Sequence, residues 1–328
     1  MLKDNDINSN NLRKHLVNID SRFRKSYLEP PTDFLYEFAH PYKNVIKARV
    51  ASVEIPIGFY NFSKAKKNTM FRIDATDYTG NIHFLQITIP DGDYTQDSLI
   101  ETIQEQFDEI SLTYGIFFTI TLDPINRKVT ISHTGSTEPG GTVPTYTAVN
   151  YGITFMMVGQ EDRKFDFGLG YNLGFCKHFY CVDNPYSITG ESLINTMCDT
   201  YFLLAIDDYY TVEHKTNDDY IQCLAKILVK NRTNCIIFDD GYTVLSNDII
   251  FPRPVDLKQA RIRLLDMYGV PIDLHCMNFS ISLEITEVMN IQMYDEYRKY
   301  LWNKSEPRAT KNISGSSAGI APPALNYN

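Results

Sequence analysis

The residue types best suited to binding a metal lie close together near position 180. Cys176, His178 and Cys181 could supply two or three ligands to zinc, and a fourth would come from elsewhere in the chain: Cys198, His214 or Cys223. The run lacks the paired C-x-x-C spacing that makes zinc motifs specific. We therefore predict no metal site and interpret these cysteines as reduced thiols, buried or half-exposed.

A glycine-rich run nearby resembles a phosphate-binding loop only superficially. Gly168, Gly170 and Gly174 do not have the G-x-G-x-x-G spacing, and no helix-forming run follows them. A phosphate site needs backbone N–H groups and a helix N-terminus aimed at the anion. We predict no nucleotide or other cofactor, and expect these glycines to allow tight turns or bulges at the rim of a sheet.

Pairs of adjacent aspartates are the remaining candidates for catalysis. They stand at 207–208, 218–219 and 239–240. Neighbouring residues of a strand point to opposite faces, so such pairs would not converge on one substrate. The one G-x-S-x-G string, at 315–319, lies in the small-residue tail and not between a predicted strand and a helix, so it does not indicate a nucleophile elbow, and the sequence has no H-E-x-x-H helix. It therefore predicts a protein that is not an enzyme.

Composition limits the class of protein. The 328 residues are 43% hydrophobic and 22% charged, with a net charge of −9, which is typical of a chain that folds. An acidic chain lacks the broad basic face that nucleic acid requires, so protein surfaces are the expected partners. We expect no transmembrane segment, because no run reaches about 18 apolar residues, and no secretory leader, because residues 1–10 are polar.

Alternation of apolar residues with period two predicts strands along most of the chain. The run 44–56 is apolar on both faces, as in a packed sheet, and similar runs continue to Thr286. Turn signals such as Asp123-Pro124 separate the runs, which favours hairpins and Greek-key crossings. The pattern predicts an all-β fold, a jelly-roll β-sandwich whose two sheets share one core.

One inserted amphipathic helix is predicted at Asp97–Phe107, with Thr95 or Asp97 capping its N-terminus. Its apolar residues recur at helical spacing: Leu99, Ile100, Ile103 and Phe107. A second helix is predicted at 291–302.

Composition divides the chain into three parts. We predict an N-terminal arm at 1–43, a jelly-roll body at 44–289 with an insertion at about 183–219, and a C-terminal helix and flexible tail at 290–328. The tail is rich in small residues, Pro and Gly, and buries too little apolar surface to order alone.

The arm combines charges with aromatic rings, which suits a contact with another chain. In an extended arm Asp20, Arg22 and Arg24 would share one side and Phe23 would point away, so the arm could add to the sheet edge of a neighbour. Tyr27 and Phe34 are further candidates for the same contact. The alternative is that this segment folds back on its own domain.

Turn positions are predicted at five places: Pro90, Gly92, Tyr94, Gly174 and Gly269. The first three would turn a strand into the inserted helix. The two later glycines would allow turns at the ends of strands.

Four segments, in this order, resemble the structural capsid proteins of nucleocytoplasmic large DNA viruses, the giant viruses and their relatives. The first is 18–62, which begins N-I-D-S-R-F-R and ends V-E-I-P-I-G-F-Y-N-F, and the second is 87–103, which begins I-T-I-P-D-G-D-Y. The third is Y-N-L-G-F at 171–175, and the fourth is 261–285, which begins R-I-R-L-L-D-M-Y-G-V-P. They span most of the chain. The insertion near 183–219 and the long tail depart from the family pattern.

The resemblance implies a jelly-roll capsid component located in the virion and made in the host cytoplasm. It leaves two roles open, the penton (vertex) protein and a minor capsid protein beneath the major capsomers. A vertex protein would form a homopentamer, whereas a minor protein would mainly contact other capsid proteins. A β-sandwich module that attaches to host glycans is the alternative from another class.

Overall fold

The computed structural model describes residues 11–156, 165–197, 199–207, 209, 212–215, 220–229, 236–239 and 248–305. Within these ranges the strands are β1 Leu12–Asp20, β2 Asp33–Pro56, β3 Met70–Thr76, β4 Ile82–Thr88, β5 Ile116–Leu122, β6 Val129–Ser136, β7 Tyr151–Phe155, β8 Phe179–Val182, β9 Ser187–Thr189, β10 Tyr201–Ile206, β11 Val212–Lys215, β12 Tyr220–Cys223, β13 Ala225–Leu228, β14 Ile236–Asp239, β15 Ile249–Leu265 and β16 Ser280–Val288. The helices are α1 Gln96–Tyr114, α2 Leu169–Asn172 and α3 Ile291–Ser305. None of these helices is both long and apolar enough to cross a membrane.

The strands form antiparallel sheets. A seven-stranded sheet has the order β1-β16-β2-β15-β10-β13, with β14 also paired to β2. A four-stranded sheet (β4-β3-β7-β8), a three-stranded sheet (β5-β6-β9) and the hairpin β11-β12 complete the described part. The predicted class is confirmed: the chain consists mostly of antiparallel strands with few helices, consistent with a jelly-roll β-sandwich.

The large sheet curls around its own core because β2 bends sharply. This strand is 24 residues long and bends near Asn44, whose φ is 55°. Its two ends consequently approach each other: Phe34, near its start, lies 6.1 Å from the ring of Phe279, and Glu54, near its end, pairs with Ser280. The apolar side chains on the inner face of the sheet are thereby shielded from water.

A second core lies between the four-stranded sheet, the three-stranded sheet and α1. The helix buries the side chains predicted to face inward, Leu99, Ile103 and Phe107. Thr95 caps it, since its hydroxyl accepts a hydrogen bond from the Ser98 N–H at 3.2 Å and the Ser98 hydroxyl reaches back to the Thr95 N–H. The inserted helix is thus confirmed, and it is longer than predicted at its C-terminal end.

The predicted arm is part of the large sheet. β1 pairs with β16 along all nine of its residues, and Val17, Ile19, Phe34 and Phe38 are buried in the first core. A boundary at residue 43 therefore falls inside β2. The charges of this segment are partly neutralised across strands, as in the Lys14–Glu284 ion pair. The alternative of a segment folding back on its own domain therefore describes residues 11–43.

The body contains two large cores and a small third cluster where the sequence predicted one core. The second core takes its side chains from Phe62 to Ile194, and the chain returns to the large sheet at β10. The predicted insertion at about 183–219 is divided between them, because β9 belongs to the three-stranded sheet and β10 to the large sheet. α3 begins at Ile291 as predicted, and residues 306–328 of the predicted tail lie outside the described residues.

Candidate assembly surface and junction cleft

The loop between β1 and β2, residues 21–32, carries a cluster of exposed apolar side chains. Phe23, Tyr27 and Leu28 are all exposed to solvent. The loop leaves β1 at Asp20, opposite Ser280, at the edge of the large sheet. We call it the β1–β2 loop.

Asp20 and Arg22 hold the first turn of this loop. The buried Asp20 carboxylate accepts hydrogen bonds from the Arg22 N–H at 2.9 Å and from Arg22 Nε at 2.9 and 3.0 Å. These bonds hold the pKa of Asp20 below its ordinary value. The predicted extended conformation is wrong here, because Ser21–Phe23 form a 3₁₀ turn that Asp20 caps.

Arg24 crosses the loop and fixes its shape. Its guanidinium donates to the Ser21 carbonyl at 2.8 Å, the Glu29 carbonyl at 3.0 Å and Asn278 Oδ1 at 3.1 Å. It also lies 5.1 Å from the ring centre of Tyr27. The exposed rings are therefore presented by a preorganised loop.

Of the six residues predicted for an assembly arm, five meet at the β1–β2 loop. The sixth, Phe34, is fully buried in the first core and packs edge-on against Phe279. Sequence alone could not separate it from Phe23, since both are phenylalanines in a stretch of mixed charge.

Replacing Asp20 with asparagine should lower the free energy of unfolding at pH 7 by about 1 kcal/mol, through loss of charge-assisted hydrogen bonds. The folded pKa lies below the unfolded one, so the contribution of Asp20 is present above about pH 4 and is lost as pH falls through the folded pKa. Urea denaturation between pH 7 and 3 should show that the difference in unfolding free energy between Asp20→Asn and wild type becomes smaller below pH 4.

Glu37→Gln is the matched control for that measurement, because the Lys25–Glu37 pair is exposed on both sides. It should change stability by less than about 0.5 kcal/mol at any of these pH values. If the difference in unfolding free energy between Asp20→Asn and wild type did not change with pH, the role assigned to the carboxylate would be contradicted.

The residues predicted to turn the chain before α1 lie in one tight unit. Gly92 bridges to Phe62 through two backbone hydrogen bonds of 2.9 and 3.1 Å. The Tyr94 hydroxyl donates to the Pro90 carbonyl at 2.8 Å, and its ring packs edge-on against Phe62 at 5.4 Å. This turn directs the chain from β4 to α1.

The later glycines lie where a side chain would be strained. Gly174 has φ 89°, and a Cβ there would lie 2.4 Å from the Ser192 carbonyl oxygen. Gly269 has φ 83° in the turn after β15, and a Cβ would come within 2.9 Å of Ile221. The short helix α2 follows Gly168, contrary to the expectation of no helix, and at Gly170 a Cβ would clash with the Phe155 ring.

The other residues weighed for chemistry are dispersed. Cys176 and Cys181 are exposed, while Cys223 is buried and burial raises its pKa to about 11. Among the described residues, no group of three or more His, Cys, Asp or Glu side chains is arranged to hold a metal ion. Asp207 accepts a hydrogen bond from the Arg261 N–H at 2.7 Å, and the other acidic pairs lie wholly or partly outside the described residues.

A cleft of about 670 Å³ opens between the two cores, and the sequence did not predict it. Its walls come from the segment after β2, the turn between β15 and β16, and the segments 166–172, 193–197 and 199–200. Four asparagines on one wall are joined to each other or to neighbouring backbone by hydrogen bonds: Asn61, Asn68, Asn172 and Asn195. We call it the junction cleft.

A further apolar surface is the outer face of the four-stranded sheet. Ile82, Phe84 and Phe179 are exposed there, and Phe84 lies 5.3 Å from the Arg72 guanidinium. The Phe179 ring covers Gly152, where a Cβ would approach within 3.2 Å.

Neither a family model nor a curated protein matches the sequence. Among solved structures the chain is similar to the penton protein of mavirus, with a TM-score of 0.41 and 8% sequence identity, over 84% of this chain and 99% of that one. A similarity this distant does not by itself assign a function to the chain.

Proposed function

We propose that this chain is a structural component of an icosahedral virus shell of the giant-virus type, specifically its penton protein. It acts through protein–protein contacts and catalyses no reaction. The observation that carries the proposal is the β1–β2 loop, where Phe23, Tyr27 and Leu28 are exposed on a loop that Arg24 holds in one shape. Exposed aromatic side chains on a rigid support are typical of protein interfaces.

The position of this loop supports the proposal. β1 is an edge strand of the large sheet within the described residues, and an edge strand presents unpaired backbone N–H and C=O groups on its outer side. Leu16 of β1 is also exposed, so apolar side chains accompany the free edge. A surface of this kind can meet a different surface of the next copy, which closes a ring by head-to-tail contacts.

The four capsid-like segments lead to the same proposal from the sequence. The first of them, 18–62, contains the β1–β2 loop and all of β2, and the last, 261–285, contains Asn278, which accepts a hydrogen bond from Arg24. A minor capsid protein is the closest alternative, since it would use the same surface on a different neighbour.

A glycan-binding attachment module is the second candidate, and the junction cleft is the observation that favours it. Tyr60, Tyr171 and Tyr268 line the cleft together with side-chain amides and carboxylates. Aromatic rings with a few oriented polar groups are the composition of many ligand sites.

Replacing Phe23, Tyr27 and Leu28 together by serine should weaken self-association at least tenfold, about 1.4 kcal/mol, because the apolar contact is lost. Sedimentation velocity across concentration measures the effect, and the unfolding midpoint should stay unchanged because all three side chains are exposed.

The matched control changes three equally exposed apolar side chains on the second core, Ile82, Leu112 and Ile125, to serine. It should leave self-association unaltered. Equal weakening by both triple variants would mean that the β1–β2 loop is not the contact surface.

A further inference from the structure

The junction cleft exposes apolar side chains that its polar wall does not cover. Tyr171, Leu193, Met197 and Val270 line it and are exposed to solvent, and Tyr60 is half-exposed. Apolar side chains gathered in a concave site favour an occupant with apolar groups of its own.

The charge of the cleft indicates which ligands it favours. Five carboxylates line it against two cations, Lys66 and Arg127. The carboxylates are those of Asp91, Asp166, Asp199, Asp266 and Asp273. Lys66 already pairs with Asp199 at 3.1 Å. The cleft therefore disfavours a polyanion and suits a ligand that is neutral or basic.

The wall of the cleft is held in place before any ligand arrives. Asn68 donates to the Asn61 carbonyl at 2.9 Å, and Asn172 donates to the Asn195 carbonyl at 2.8 Å. The Asn61 side chain donates to the Thr196 carbonyl at 2.9 Å. These bonds tie the segment 193–197 to the second core, so binding does not require the wall to order.

The composition of residues 306–328 matches the apolar side chains and the negative charge of the cleft. Glu306 is their only acidic residue, and Arg308 and Lys311 are basic. Pro322 and Pro323 lie in the run I-A-P-P-A-L-N-Y at 320–327. Pro-rich segments favour the polyproline II helix and bind aromatic-lined grooves at a low entropic cost.

The cleft and the N-terminus of α3 lie at opposite ends of β16. Asp273 and His275 line the cleft just before β16, whereas α3 begins just after it, about 27 Å away at the usual rise per strand residue. Arg298 of α3 donates to the Pro252 carbonyl, which lies near the bend of β2, so the helix remains at the far end. In the head-to-tail ring of the proposed function, one surface of a copy faces a different surface of the next copy, so the segment that follows α3 can reach a neighbouring cleft.

We propose that the junction cleft binds the Pro-rich segment at 320–327 of a second copy of this chain, with Arg308 and Lys311 near its acidic rim. That the bound segment comes from a second copy rests on the proposed shell role. Binding of the segment to the cleft can be measured whether or not the protein forms a shell.

The test is fluorescence anisotropy with a labelled synthetic peptide of residues 307–328 and the full-length protein at concentrations where light scattering reports a monomer. The peptide should bind, and Tyr171→Ser with Met197→Ser should weaken it at least tenfold. Leu112→Ser, equally apolar and exposed on α1, should leave it within twofold of wild type. A peptide with both prolines replaced by glycine should bind at least fivefold more weakly. No binding, or equal binding to the cleft variant, would overturn the proposal.

A second arm identifies the copy that supplies the segment. Full-length protein carrying Pro322→Gly and Pro323→Gly should bind the added peptide within twofold of wild type, because a monomer's own segment does not fill its cleft. Tenfold tighter binding by this variant would show that the chain fills its own cleft and would overturn the link between copies. Binding to a neutral-glycan array that the cleft variant abolishes, without peptide binding, would assign the cleft to a glycan instead. If the protein forms a ring but does not bind the peptide, the cleft proposal fails and the proposed shell role is unaffected.

Discussion

Replacing Phe34 with alanine should lower the free energy of unfolding by about 3–5 kcal/mol, the usual cost of emptying a buried phenylalanine site. The ring is 0% exposed and packs against Phe279 in the first core, where the two ends of β2 meet. Since folded proteins are stable by only about 5–15 kcal/mol, this loss is a large part of the total. Urea denaturation followed by far-UV circular dichroism measures it.

Phe23→Ala is the matched control, because it makes the same chemical change eleven residues away in the same predicted arm. Its ring is 71% exposed, so the change in stability should stay within about 0.5 kcal/mol. Similar losses for the two variants would contradict the division of this segment into core and surface.

Deletion of residues 1–43 extends the same argument. It removes β1 and the first part of β2, and with them Val17, Ile19 and Phe38 from the first core. The predicted division into an arm at 1–43 and a body at 44–289 implies that such a truncation leaves the body folded. The structure instead predicts that the truncated protein loses cooperative unfolding.

Gly174→Ala should cost several kcal/mol, because two penalties add. The residue has φ 89°, where a side chain is strained by about 1–2 kcal/mol, and a Cβ would lie 2.4 Å from a backbone oxygen that cannot move alone. Differential scanning calorimetry should show a markedly lower melting temperature for this variant.

Gly80→Ala separates the two penalties. Its φ is 90°, nearly the same as that of Gly174, and nothing lies within 4 Å of the position of a Cβ. We expect only the conformational cost of about 1–2 kcal/mol. If the two alanine variants were equally unstable, close packing of Gly174 against Ser192 would not explain the need for glycine there.

Local patterns predicted most of the elements. β3, β4 and α1 each bury one face. The apolar residues of a buried face recur at a fixed spacing in the sequence, which is about two residues in a strand and 3.6 in a helix. The capping box at Thr95 and Ser98 is likewise local, because its partners are three residues apart.

Long-range pairing could not be predicted in the same way. In sequence, β1 resembles a charged arm, because its partner strand β16 lies some 270 residues later in the chain. In the sheet, Glu284 and Glu287 of β16 pair with Lys14 and His15 of β1. The bonds from Arg22 to Asp20 that cap the 3₁₀ turn are local, but the contacts that hold the turn against the sheet are long-range. They run from the Ser21 N–H to the Phe279 carbonyl and from Arg24 to Asn278 Oδ1.

The junction cleft was missed because its walls are distant in sequence. No single segment of its lining has a ligand-binding motif, and Tyr60, Tyr171 and Tyr268 come together only when the two cores are side by side. The exposed apolar residues Leu193 and Met197, in a stretch with few charges, were the only signal available from sequence.

Light scattering on the full-length protein across concentration tests the shell proposal most directly. The account predicts a discrete ring of five copies, with a mass five times 37.7 kDa, about 190 kDa, that dissociates on dilution. A mass of 37.7 kDa at every concentration, or a ladder of sizes without a closed species, would contradict the assignment as a penton protein.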